Sequence, residues 1–193
     1  MELVDISRQD DGLHKAAVAN HGYYLESDDG SPWNRVFSLK ELVHASTEVF
    51  VGTVRDSRSE LEHHGRYIHT RYSVEIEQIL KGSLRPGQTV SFLLPGGKVT
   101  FDDGVVAEVS KEKEPPLLMD HRYALFTLDS TEEAGLRPIG ADEGVFELLL
   151  NASVHPHAYY SWDALQAAKQ LTQEQFFAAV ETAAQEEKRL TEK

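Results

Sequence analysis

Histidine is the residue type in this chain whose placement suits metal chemistry. The 193 residues include nine histidines and no cysteine. His63, His64 and His69 fall in or beside one predicted hairpin. His155 and His157 flank Pro156 in a later segment. Side chains two apart on an extended chain share a side, so His155 and His157 offer a bidentate pair of imidazoles. Joined by His63 or His64, they would make a zinc or copper site of three ligands from two loops. No feature of the sequence brings the two loops together, and the helical spacing HExxH is absent. Solvated loop histidines are the plainer reading, with no cofactor, and zinc is the alternative.

Other chemistry finds less support. Pro95, Gly96, Gly97 and Lys98 resemble the end of a phosphate loop, but Phe92 stands where the first glycine belongs and Val99 replaces the hydroxyl residue. The segment reads as a turn closing a strand. No G-x-S-x-G nucleophile elbow occurs. The three Asp-Asp-Gly sequences lack the alternating acids of a calcium loop and read as turns. Glu75 and Glu77 share a strand face with His69 and Arg71, an arrangement that suits a cross-strand charge ladder. The absence of cysteine removes thiolate ligands, cysteine nucleophiles and disulfides together.

These residues need elements to hold them, and hydrophobic periodicity supplies the elements. Glu48–Arg55 reads as a strand with Val49, Val51 and Thr53 on one face and Phe50 and Val54 on the other. Tyr67–Leu80 alternates cleanly, with Ile68, Thr70, Tyr72, Val74 and Ile76 on one side. Thr89–Leu94 makes a third strand. Lys98 to Ser110 reads as a hairpin turning at Asp102, Asp103 and Gly104, and Arg122–Leu128, Leu136–Ile139 and Gly144–Leu150 add further strands. The expected core residues are Ile68, Tyr72, Val74, Ile76, Val90, Phe92 and Phe126. Gly52, inside the first strand, marks a bulge, a bend or a close backbone approach. Between the first two strands, Ser57–Gly65 reads as a loop longer than a hairpin requires. On a rigid scaffold such a loop suits recognition, with Glu60, Glu62, His63 and His64 as its contact residues.

Helices flank this β-rich body. Ser38 and Glu41 fit a capping box, with Phe37 and Leu42 as the hydrophobic staple. Thr172 and Gln175 form a second box ahead of an apolar stripe of Phe176, Phe177, Val180 and Ala184, which should dock on the barrel. Ala152–Asp163 reads as a loop and Ser161–Leu171 as a helix carrying Trp162 and Leu165. The chain divides into an irregular segment over 1–35, a barrel domain over 36–150 and a helical extension over 151–193.

A formal net charge of −13 sets the surface against nucleic-acid phosphate and anionic lipid, so neither is an expected partner. No apolar run approaches the roughly 20 residues that span a bilayer. The first 22 residues lack the basic start and apolar block of a signal peptide.

Four stretches carry a resemblance: SLKELVHASTEVFVGTVRD, YSVEIEQILKG, PGQTVSFLLPGGKV and HRYALFTLD. Together they resemble a family of bacterial exported domains similar to the netrin-like modules of the tissue inhibitors of metalloproteinases. The resemblance covers roughly residues 36–150. It implies an OB-type five-stranded barrel with flanking helices, and export from the cytoplasm. The inhibitors present an N-terminal cysteine to the protease zinc, and this chain has none, so the fold carries over without that activity. The expectation is a mainly β protein with flanking helices. It would act as a non-catalytic extracytoplasmic binding module for a protein or polymer, the alternative being a histidine-based metal protein.

Overall fold

The structure is a computed structural model that describes residues 3–4, 12–28, 38–62, 65–111, 115–129, 135–140, 143–157 and 163–191. Its axis is a long antiparallel ribbon of two 15-residue strands, β3 (Glu48–Glu62) and β4 (Tyr67–Lys81). β-branched and aromatic residues crowd the first half of β3 and most of β4, which suits a pleated surface buried on both sides. Register shifts at Val49/Phe50, Val51/Gly52 and Val54/Asp56 break the ladder. Each shift adds local twist, so the ribbon curls. Gly52 lies at one of them. A Cβ there would come within 2.6 Å of Val74 Cγ1 and 2.8 Å of the Glu75 carbonyl oxygen, the close approach that an interior glycine predicts.

The remaining elements build outward from the ribbon. The N-terminal strands and helices are β1 (Leu3–Val4), α1 (Leu13–Ala19), β2 (Tyr23–Asp28) and α2 (Leu39–Ala45). After the ribbon come β5 (Thr89–Pro95), β6 (Gly97–Phe101), β7 (Val106–Lys111), β8 (Arg122–Asp129), β9 (Leu136–Pro138), β10 (Val145–Leu148) and β11 (Val154–Pro156). The chain ends in α3 (Asp163–Gln166), a 3₁₀ turn over Ala167–Gln170 and α4 (Gln173–Thr191). One sheet has seven strands in the order β11-β10-β8-β3-β4-β5-β9, and a second has four, β1-β6-β7-β2. β9 also pairs with β8, and it meets β5 in parallel at the single pair Phe92 and Leu136. The large sheet therefore curls back on itself without a full ladder at the seam.

Three apolar clusters fill the space around the ribbon. Phe50, Val54, Tyr72, Val74, Ile76, Phe92 and Leu125 pack inside the curl. Val49, Val51, Ala124 and Phe126 face outward from the same strands, against Leu42, Val43, Phe176 and Val180 of α2 and α4. Ile68 joins Leu13, Val99, Phe101 and Ala107 beneath the small sheet. The expected core residues are thus buried, Val90 only partly, but they are shared among three clusters. Phe126 lies on the outer side because its neighbour Leu125 takes the inner one. There it meets Phe146 and Phe176 edge to face, at ring separations of 5.4 and 6.2 Å.

Both capping boxes form. Ser38 Oγ accepts from Glu41 N at 3.2 Å, and the Glu41 carboxylate accepts from Ser38 N at 2.7 Å. Thr172 Oγ1 and Gln175 Oε1 exchange the same pair of bonds at 3.2 and 3.0 Å. Phe37, expected in the first staple, and Trp162 lie outside the described residues. α4 docks through Phe176, Val180, Ala183 and Ala184 as its stripe predicts. Among the described residues, no helix is long and apolar enough to cross a membrane.

Four expectations need correction. The segment over 1–35 is not irregular throughout. It contains α1 and β2, and β2 runs parallel to β7 over six residue pairs. Its aromatic residues Tyr23 and Tyr24 suit a segment lying across the core, but the ladder comes from a strand some 80 positions away, so the local sequence does not show the pairing. The stretch Ser57–Glu62 is strand and not loop, because the ladder with Tyr67–Tyr72 continues past the bulge at Asp56. His155 lies in β11, which pairs with β10, and not in a loop. The helix expected over Ser161–Leu171 is one short α turn followed by a 3₁₀ turn.

Candidate functional site

Beyond Val54 the ribbon changes character, and alternation sorts its side chains onto a charged face and a face where hydroxyls stand among apolar residues. Directly opposed residues share a face, so Ser57 with Tyr72, Ser59 with Thr70 and Leu61 with Ile68 lie on one side. Arg58 with Arg71, Glu60 with His69 and Glu62 with Tyr67 lie on the other.

The first face is the floor of a cleft of about 300 Å³ between the curled sheet and the small sheet. The sharp passage from β5 to β6 makes the cleft possible. Gly96 and Gly97 hold φ of 94° and 133°, values that favour glycine. A Cβ on Gly97 would fall onto Ser59 Oγ and Thr70 Oγ1. The backbone thus approaches the floor directly. Thr70 Oγ1 donates to the Gly96 carbonyl at 2.9 Å and lies 3.1 Å from Ser59 Oγ. Because the single Thr70 proton is spent on Gly96, the Ser59 hydroxyl donates to Thr70. Ser59 Oγ in turn accepts from Lys98 N at 3.2 Å.

A strap over Pro115–Leu118 forms one wall. Tyr72 Oη accepts from Leu117 N at 3.2 Å, and Tyr123 Oη accepts from Leu118 N at 2.9 Å. His157 Nε2 lies 2.6 Å from the Pro115 carbonyl oxygen, which makes that nitrogen the donor. Burial raises both tyrosines, and Tyr123 is pushed up to about 12 despite its bond from Leu118, with Glu147 adding to the rise. Both phenols therefore stay neutral around pH 7. The opposite wall is β6 and β7, where Lys98 Nζ lies 3.5 Å from Glu108 and Tyr23 donates to Glu108 at 2.8 Å. Ser57 and Ser110 also line the cleft, and their hydroxyls make no hydrogen bond to another described residue.

The second face is a charge cluster. His69 is 8% exposed, with Nε2 3.0 Å from Glu60 and Nδ1 against Glu62. Arg71 bonds Glu60 through Nε and Nη2 at 3.1 Å, and Arg137 stands 3.7 Å from Glu62. Burial raises the Glu60 carboxyl, but the bonds from Arg71 and His69 outweigh it and hold the group below its ordinary value.

The residues expected at the recognition site are therefore divided. Glu60 and Glu62 lie across the ribbon from the cleft and are bound to His69, Arg71 and Arg137. His63 and His64 lie outside the described residues. His155 is exposed and opposite Glu147 in the β10–β11 ladder, whereas His157 lines the cleft and bonds Pro115. Among the described residues, no three of His, Asp and Glu are grouped to hold a metal ion. Glu75 and Glu77 do form cross-strand pairs, though not with His69 and Arg71. Arg55 bonds Glu75 at 2.8 Å, and Glu77 accepts from Thr53 and Arg122. The floor residues Ser57, Ser59 and Thr70 are not among the contact residues expected from the sequence. The signal for them was a hydroxyl interrupting the apolar alternation of β4, matched by two serines at i and i+2 on β3. Comparison with known protein families and with curated proteins finds no match in either.

Proposed function

We propose that the protein is a non-catalytic binding module of the extracytoplasmic space, holding a segment of a protein or polymer in the cleft between its two sheets. The observation that carries this reading is the cleft itself, with fixed hydroxyls on its floor and the uncommitted hydroxyls of Ser57 and Ser110 at its sides. A concave site with a few convergent polar groups on rigid strands is suited to binding, because little ordering is needed when the ligand arrives. The ring of β8, β3, β4, β5 and β9 supports an OB-type barrel as the scaffold, since OB barrels are five-stranded and partly open. The resemblance to netrin-like exported domains supports the extracytoplasmic setting. The acidic surface argues against nucleic acid as the polymer.

Hydrogen exchange on the whole protein, with and without solubilised cell-envelope polymer from the producing organism, tests the reading. Protection confined to Ser57–Ser59, Gly96–Lys98 and Glu108–Ser110 is expected. Protection only on surfaces remote from the cleft, or none, overturns it.

A further inference from the structure

We infer that the ligand of this cleft is an uncharged, hydroxyl-rich one, a saccharide unit of a neutral polymer. The inference rests on the binding reading above and adds the chemistry of the ligand.

Charge is the first argument. Among the described residues, the ionisable groups lining the cleft already have partners. Lys98 and Glu108 face each other at 3.5 Å, Glu108 also accepts from Tyr23, and His157 Nε2 donates to Pro115. An anionic or cationic ligand would find the opposite charge on Lys98 or Glu108 already turned to its partner, so charge gives an ionic ligand little advantage here.

Hydroxyl chemistry is the second. Ser57 and Ser110 each offer one donor and two acceptor positions on a freely turning group. A sugar hydroxyl has the same dual character, so a ligand O–H can donate to or accept from either serine. On the floor, the relay from Ser59 through Thr70 to the Gly96 carbonyl fixes where lone pairs remain. The ligand thus meets acceptors that are already oriented.

Shape is the third. Leu94, Val109 and Leu117 place apolar surface beside these hydroxyls, which matches the C–H faces of a sugar ring. A Cβ on Gly96 would meet the Val109 carbonyl and one on Gly97 the Ser59 and Thr70 hydroxyls, so only bare backbone fits between the two sheets here. Two of the strands behind the cleft are paired along both edges, β4 with β3 and β5 and β7 with β6 and β2, so a peptide backbone could not extend the sheet at either of them.

The test uses the full chain and a panel of neutral oligosaccharides (cello-, malto-, xylo- and chito-oligomers of two to six units), with oligogalacturonate as the charged counterpart. Binding is followed by calorimetry and by amide chemical shifts at millimolar ligand. At least one neutral oligomer should bind, more tightly than oligogalacturonate, with shifts at Ser57–Ser59 and Glu108–Ser110. The double substitution Ser57→Ala with Ser110→Ala should weaken it by about tenfold, as expected for two lost hydrogen bonds. Glu60→Gln, on the opposite face, should leave affinity unchanged. Failure of every neutral oligomer to bind, or equal affinity in the double variant, overturns the inference. If envelope polymer still protects the cleft from exchange in that case, the binding reading survives and only the saccharide assignment falls. If nothing protects the cleft, both fall.

Discussion

The two halves of the β3–β4 ribbon share one backbone ladder and differ in almost everything else. From Glu48 to Val54 each β3 residue is buried, with apolar clusters on both faces. From Arg55 to Glu62 none is fully buried, and the two faces carry hydroxyls and charges. The first half holds the molecule together through packing, which falls off steeply when an atom is removed. The second half packs only through Leu61 and Ile68 beneath the small sheet and Tyr72 in the curl, and is otherwise held by its ladder, by the relay under Gly96 and by the Glu60–His69–Arg71 cluster. These are specific bonds that leave other polar atoms accessible. A rigid ribbon thus carries its stability at one end and its chemistry at the other.

Removing a ring from the packed half should have the largest effect. Phe50→Ala empties a fully buried position inside the curl and should cost about 3–5 kcal/mol, from lost burial plus the cavity. Denaturant melts with an unchanged slope would measure it. A loss below about 1 kcal/mol would place the weight of the fold outside the proximal half and break the contrast.

Gly52→Ala comes next. The added methyl would press on Val74 Cγ1 and the Glu75 carbonyl within 3 Å, where the ladder already shifts register. Backbone cannot yield as a side-chain tip can, so about 1–3 kcal/mol of destabilisation is expected by the same melts. A neutral result would show that the bulge relaxes freely.

The charged face of the distal half sharpens the comparison through pH. The folded Glu60 carboxyl titrates below its ordinary value of 4.5, held there by Arg71 and His69 against burial. Below pH 4.5 the unfolded chain therefore binds the proton first, and stability falls as the pH drops toward the folded value. The contribution is complete above about pH 4.5. Glu77, held down by Thr53 and Arg122 against its own burial, acts with the same sign. The difference in stability between wild type and Glu60→Gln should be largest near neutrality and shrink through this acid window. A difference independent of pH would remove the cluster from the account.

Much of this contrast was legible in the sequence. The period-two pattern of β4 placed Tyr72, Val74 and Ile76 on one buried face, and the stripe on α4 announced its docking. Two capping boxes marked both helix starts, because these signals are local and each residue satisfies a neighbour three positions on. The distal half is hard to read for the opposite reason. Ser57, Arg58, Ser59 and Glu60 have no strong strand propensity, and only the partner strand keeps them extended. The pairing of β2 is hidden in the same way, since its ladder with β7 joins residues far apart in the chain. The cleft follows from these non-local pairings, which bring Ser57, Gly97 and Ser110 together. Glu60 and Glu62 stand out in the sequence by their charge, while the hydroxyls across the ribbon do not.

The smallest expected effect on stability is at the residue on which the proposed function depends most directly. Ser57 is exposed, its hydroxyl bonds no other described residue, and its partner across the ladder is Tyr72. Replacing it with alanine removes no packed atom and leaves no buried group unpaired, so the change in stability should stay within about 0.5 kcal/mol. The same substitution removes one of two free hydroxyls from the cleft and should weaken ligand binding by a few fold. Ser59→Ala is the informative partner. It breaks the donor to Thr70 and the acceptor for Lys98 N, so it should cost about 1 kcal/mol as well as affinity. A melt and a titration of each variant separate the two roles. If Ser57→Ala destabilises the fold as much as Ser59→Ala, the distal half is scaffold like the proximal one, and the division of the ribbon into a packed end and a binding end is lost.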